Sequence, residues 1–353
     1  MAYDLTFPAT RGIQAGRPFF TATIPFKVLN RLFKSDEEEV PADLRAQRKL
    51  NEGRAQGICD YVVNNPETYV IPAITVSCDQ SMQFEKLHPD VEVGLLHIPM
   101  DACLLINDGQ HRRMGIALAL REDPSLADHS VSATIFYDQG LSASKQLFCD
   151  INNNACKPSG SISALYDMRN PSAGFVISIL NRLPKIKARL DMEAASPAKK
   201  SSHLWSLIAF HIFVGTLTKL NEKNIGKIAN LDAKVDFVVD FCAKLDLIPL
   251  WQPMLEGKMG AEEMRESFVV SHAVFLNALG VLGSYITDLS QLDGLAEVDP
   301  SKGSSAWQGR CVVMGKMNKT TSGVKSTAAV LMRLCGLPIP EDIKKVDVLV
   351  LEV

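Results

Sequence analysis

The sequence predicts an α+β protein: a mixed α/β domain over residues 1–170, then an all-helical domain over residues 171–353. Three observations predict it. At 353 residues the chain exceeds what one hydrophobic core usually organises, so two domains are expected. Short β-branched or aromatic segments alternate with helical runs up to about residue 170. Beyond Pro171 strand signals almost vanish. With 46% apolar and 22% charged residues the composition is that of an ordinary globular chain, which excludes disorder, collagen and coiled coil.

Phe19–Ile24, Tyr69–Ser77, Leu95–Ile98, Cys103–Ile106 and Val131–Tyr137 are short and bounded by Pro, Gly or Asp, and they predict strands. Gln47–Val63 carries apolar residues at Leu50, Ile58, Tyr61 and Val62 and predicts a helix, which Asn64-Asn65-Pro66 ends by removing a backbone donor. Met114–Leu120 predicts a compact helix stopped at Asp123-Pro124, and Ser142–Ile151 another. In the second half Phe175–Leu183, Leu204–Leu220, Ala233–Leu247, Glu262–Tyr285 and Ser322–Leu334 favour helix. Asn170-Pro171 and the polar stretch Ala195–Ser202 mark the junction. Ser35–Glu39 reads as a solvated acidic loop.

Lys+Arg 37 against Asp+Glu 40 gives a formal charge of −3, which excludes a histone-like polycation but not a local basic face. The eight cysteines are scattered and none forms a C-x-x-C pair, so neither a disulfide scaffold nor a structural zinc site is expected. The start, Met1–Asp4, lacks a basic n-region, and a reduced cytoplasmic protein is the expectation. Ser201–Thr218 and Ser267–Thr287 are uncharged over 18 and 21 residues, but each holds histidine and several hydroxyl or amide groups that are costly in hydrocarbon. They predict buried helices of a globular domain and no membrane partner.

The most informative segment is Leu104-Leu105-Ile106-Asn107-Asp108-Gly109-Gln110-His111-Arg112-Arg113, which runs into the helical Met114–Leu120. A strand passes through a turn that opens a helix. Gly109 relieves the steric limit on such a turn and admits a ligand to the backbone. First-turn amides and the helix dipole make an anion site, to which His111, Arg112 and Arg113 add side-chain donors, arginine in bidentate geometry. Asp108 would repel an anion, so it implies a divalent metal, an oriented water or a turn cap. The plain alternative is an ordinary Asp-Gly turn followed by solvated basic residues. Arg54, at the end of a run with Arg45, Arg48 and Lys49, is a further phosphate-ligand candidate.

Asp108-Gly109-Gln110-His111-Arg112 resembles the signature of the DGQHR-domain family, which looks like a branch of the ParB/sulfiredoxin superfamily. Arg54…Ile58…Tyr61…Asn65-Pro66…Tyr69–Val76 is similar to the first ParB box, and Leu147–Asn154 with Lys157-Pro158-Ser159 to the third. Length and layout are most similar to the DndB family of bacterial DNA phosphorothioation (sulfur modification) systems. The likeness is strongest over residues 1–170; over the helical half it rests on general layout.

The resemblance implies a ParB/sulfiredoxin-like fold for the first domain and a G-x-x-R turn, here Gly109 and Arg112, that holds nucleotide phosphates. It implies Mg²⁺ on the third box, with Asp150 and Asn152 as the matching residues. Sulfiredoxin-like members carry a cysteine where Gln110 stands, which disfavours sulfinate reduction. The nucleotide- or phosphate-binding set is thus Gly109, Gln110, His111, Arg112, Arg113, Arg54 and Asn152, with Asp108 and Asp150 as magnesium candidates. Cys149 and Cys156 flank the third box as half-buried thiols, with redox sensing left open.

Residues 301–340 carry six basic side chains and no acid, and Arg310, Lys316, Lys319, Lys325 and Arg333 among them could lie along a DNA backbone. A second basic group, Arg182, Lys185, Lys187, Arg189, Lys199 and Lys200, surrounds the junction; solvated surface lysines are the plain alternative. Three readings follow. The first is a DNA-binding regulator of modification genes, with double-stranded promoter DNA as partner. The second is an enzyme, a nucleotide hydrolase or DNA nickase, in which Asp108, His111 and Arg112 would be the catalytic residues. The third is a scaffold that docks other phosphorothioation proteins, and a homo-oligomer is compatible with each.

Overall fold

The computed structural model describes residues 4–34, 51–137, 146–147, 150–151, 158–167 and 169–351. These fall into two compact units, Met1–Cys156 and Lys157–Val353. The texture of the sequence changes later, near Pro171, because the helix Gly160–Tyr166 is short and polar, yet it packs with the second unit. Mixed α/β content in the first unit and a mainly helical second unit make the chain α+β. The second unit is not all-helical, since Leu190–Asp191 pairs with Trp205–Ser206 and Val312–Val313 with Lys316–Met317 as two short ladders.

The first unit is built on an eight-stranded sheet. Its elements are β1 (Asp4–Gln14), β2 (Arg17–Pro25), α1 (Phe26–Leu32), β3 (Phe33–Lys34), α2 (Glu52–Asn64), β4 (Ile74–Cys78), β5 (Gln83–Lys86), β6 (Val93–Pro99), β7 (Leu104–Asp108), α3 (Gln110–Glu122) and β8 (Ser130–Tyr137). Strand order is β3-β7-β4-β8-β2-β1-β6-β5, parallel only at β3/β7 and β4/β8. Ala15 and Gly16, both at positive φ, join β1 to β2 as a two-residue hairpin whose twist suits the flanking strands. Alternate residues of β2 and β8 (Phe20, Ala22, Ile24; Val131, Ala133, Ile135) are buried, the period-2 pattern of a sheet with one covered face. Gly115 lets α2 lie close to α3, since a Cβ there would sit 2.6 Å from the Ile58 Cβ and 2.9 Å from the Ala55 carbonyl.

The second unit contains α4 (Gly160–Tyr166), α5 (Pro171–Arg182), α6 (Pro184–Lys187), α7 (Leu207–Thr218), α8 (Leu231–Lys244), α9 (Trp251–Glu256), α10 (Ala261–Ser267), α11 (Ala273–Gly283), α12 (Thr321–Leu334) and α13 (Glu341–Leu351). One core gathers Trp205, Trp251, Trp307, Phe210, Phe213, Phe241 and Phe275. The two uncharged runs become α7 and α11, both largely buried in that core, and no described helix is long and apolar enough to cross a membrane. Glu262–Tyr285, expected as one helix, is two: Phe268 turns extended and Val269 donates to the Pro300 carbonyl at 2.9 Å, which breaks the ladder between α10 and α11.

Candidate phosphate-binding site

β7 delivers Asp108 to the point where Gly109, at φ +109°, turns the chain into α3. Gly109 is the N-cap and has no side chain with which to cover the amides of Gln110, His111 and Arg112; the ladder starts with Arg113 N–H donating to the Gly109 carbonyl at 2.9 Å. A Cβ at Gly109 would sit 3.1 Å from Ile74 Cγ1 and 3.2 Å from Arg112 Nε, so the position is closed to other residues by backbone angle and by space. Gly109→Ala is expected to cost about 1–3 kcal/mol in urea unfolding. A variant as stable as the parent would show that the turn relaxes.

Arg112 and Asp108 form an i,i+4 ion pair, their side chains 18% and 34% exposed. Asp108 thus has a purpose not foreseen from sequence: it holds the guanidinium beside the turn. Its carboxylate is engaged by Arg112, and no group of three His, Cys, Asp or Glu that could hold a metal occurs among the described residues. Asp150 accepts from Gln146 Nε2 at 2.7 Å, whereas Asn152, Cys149 and Cys156 lie outside the described residues.

His111 Nε2 accepts a hydrogen bond from the Asn51 amide at 3.1 Å. That assigns the ring as neutral, with its proton on Nδ1. Burial, then the charges of Arg54 and Arg112, lower the His111 pKa below the ordinary histidine value, and Asp108 opposes them only in part. With its Nε2 lone pair engaged, His111 offers no ready base, so the arrangement gives acid–base chemistry little support. Asn51 is itself the N-cap of α2, its side chain accepting from the Arg54 amide at 3.0 Å. The starts of two helices therefore meet at His111, with Arg54 exposed beside them.

Arg113 does not join this group. Its Nη1 donates to the Phe33 carbonyl at 3.3 Å, and burial lowers its pKa, so it ties α3 to β3. Gln110 is half-buried on the first turn. Two residues that sequence reasoning passed over support the site. Asn51 could have been found from the Asn-Glu start of its helix. Asn107, buried in an otherwise apolar strand, accepts from Ser77 Oγ at 2.8 Å and braces the strand end beneath the turn.

The basic segment of the second unit requires a correction. Arg310 is buried at 6% exposure; its Nε donates to Asp347 Oδ1 at 2.7 Å, and it cannot reach a DNA phosphate. Arg333 pairs with the other Asp347 oxygen, and Lys325 with Asp342 at 2.6 Å. The stretch lacks acids in sequence, but α13 returns two carboxylates to it. Lys316 and Lys319 remain exposed, with no ion pair among the described residues. At the junction Arg182 pairs with Asp236, Lys185 with Glu256, and Lys199 with Glu262 and Glu266.

Searches of curated proteins and of solved structures return no match. A family model described as "DndB: DNA-sulfur modification-associated" matches residues 7–338, so the likeness runs through the helical unit as well as the turn. The chain therefore belongs to the DndB family of proteins associated with DNA-sulfur modification.

Proposed function

We propose that this protein is a DNA-binding regulator within its DNA-sulfur modification system, controlling the modification genes from double-stranded promoter DNA. The observation that carries this reading is the meeting of two helix starts at a neutral His111, with Arg54 and Arg112 beside the Gly109 turn. Two guanidinium groups and first-turn amides face one carboxylate that is already paired, so a phosphate oxygen finds donors there without having to displace a proton. The DNA-modification setting of the family and the exposed Lys316 and Lys319 support DNA as the source of that phosphate. A ParB/sulfiredoxin-like ancestry of the first unit and binding of a nucleotide by the same turn belong to this proposal.

Fluorescence anisotropy with promoter DNA across a salt series tests it. Binding is expected to weaken steeply with salt, and Arg54→Gln and Lys316→Gln should each flatten the log–log slope by about 0.9, one phosphate contact apiece. Weak binding that ignores salt, or slopes unchanged in both variants, would sink the reading. Phosphate release with ATP, GTP and CTP, in wild type and Arg112→Ala, is expected to stay at background.

A further inference from the structure

The helical unit holds a cavity of about 480 Å³, within the roughly 300–1,000 Å³ typical of small-molecule sites. Its polar wall is of one sign. Arg265, Lys302, Lys316 and Lys319 line it, and no Asp or Glu does. None of the three lysines has an ion pair among the described residues, unlike Lys185, Lys199, Lys244, Lys258 and Lys325 of the same unit. In a chain of net charge −3, an acid-free wall with four cations is not an average piece of surface.

The wall also carries unsatisfied polar atoms. Trp205 Nε1, Arg265 Nε and Asn277 Oδ1 are buried without a hydrogen-bond partner, and all three residues line this cavity. An orphaned buried donor or acceptor costs about 1–3 kcal/mol, which a bound group would offset. The rest of the Arg265 guanidinium is committed: it donates to the carbonyls of Lys199, Ser201 and His203 and so fixes the loop before Leu204. His272 donates from Nε2 to the Arg265 carbonyl at 2.9 Å, and burial, with Lys302, Lys319 and Arg265 nearby, draws its pKa down to about 4. The positive potential is therefore felt inside the wall, and the imidazole stays neutral. The apolar part of the lining comes from Leu204, Trp205, Ile208, Ile212 and Val274.

We infer that this cavity binds a small phosphorylated molecule with a flat, largely apolar body, of the nucleoside monophosphate class. The phosphate faces Lys302, Lys316 and Lys319, and the ring lies against Leu204 and Trp205. All the lining residues belong to the helical unit; Lys316 and Lys319 are shared with the DNA reading, and the inference stands whether or not the Gly109 turn contacts DNA.

Titration of the full chain with adenosine, guanosine, cytidine and uridine monophosphates, read by tryptophan fluorescence, tests it, because Trp205 lines the cavity, with the tilted ring of Trp251 centred 5.4 Å away. At least one monophosphate should quench saturably. Its nucleoside and inorganic phosphate should each bind at least tenfold more weakly, and Lys302→Gln/Lys319→Gln should weaken the monophosphate tenfold or more while its thermal midpoint holds. Arg54→Gln should bind as wild type. No saturation with any monophosphate, equal binding by phosphate alone, or full binding by the lysine variant would overturn the inference. So would loss of binding in Arg54→Gln with retention in the lysine variant, which would place the ligand at the turn.

Discussion

Asp347→Ala is expected to lower the thermal midpoint of the helical unit by about 10 °C, the equivalent of about 3–5 kcal/mol. Asp347 is 1% exposed and receives Arg310, itself buried, on one oxygen and Arg333 on the other. Burial pushes its carboxyl up, but the two guanidinium groups outweigh that and hold it below the ordinary carboxylate range. Removing it leaves the Arg310 charge in the interior with, among the described residues, the Ala306 carbonyl at 3.0 Å to receive it. Destabilisation should come from the orphaned cation rather than from the loss of attraction. The double variant Arg310→Met/Asp347→Leu, which removes both buried charges, should therefore recover most of the loss. Circular dichroism melts of the three proteins decide it, and an Asp347→Ala midpoint within two degrees or so of wild type would refute the argument.

The second large effect is a dependence on pH. The folded-state pKa of His272 is about 4, against an ordinary 6.5, so the native imidazole is neutral where the unfolded one takes up a proton. The unfolded state then binds more protons between those values, and stability must rise with pH across the interval. This contribution is fully present above about pH 6.5 and is lost as pH falls toward 4. Each pH unit is worth up to about 1.4 kcal/mol, or about 3 kcal/mol over the window. His272→Gln removes the titration and keeps a donor for the Arg265 carbonyl. In urea unfolding at pH 5 and pH 7, wild type should lose about 2 kcal/mol more than the variant on acidification. Parallel losses would show that the imidazole titrates normally.

Much of this architecture was legible because local pattern and tertiary environment agree. β2, β6, β7 and β8 follow apolar runs, and the turn at Gly109 announces itself by a glycine between an apolar strand and a helix. β1 was not legible, since Pro8 and Gly12 interrupt it. The register explains how it tolerates Pro8: this residue pairs with Leu95 of β6, while pairing with β2 begins only at Ala9. The missing amide therefore costs the β1/β2 ladder nothing, since that ladder does not reach Pro8. The basic segment misled for a different reason. Its acid-free window ends at residue 340, just before Asp342 and Asp347, the carboxylates that fold back on it. Nor could pattern reveal the cavity of the helical unit, whose wall joins segments from Ala195 to Val324 that only tertiary packing brings together.

The sheet of the first unit ends in a four-residue strand, β5, on one flank and a two-residue strand, β3, on the other. Chain association by strand addition needs a long row of open amides and carbonyls, and among the described residues neither terminal strand offers one. β5 is further guarded by Lys86, which is tied to Glu92, and by the Arg11 guanidinium over Phe84. Among the described residues, the edges of this sheet thus give an incoming strand little to pair with.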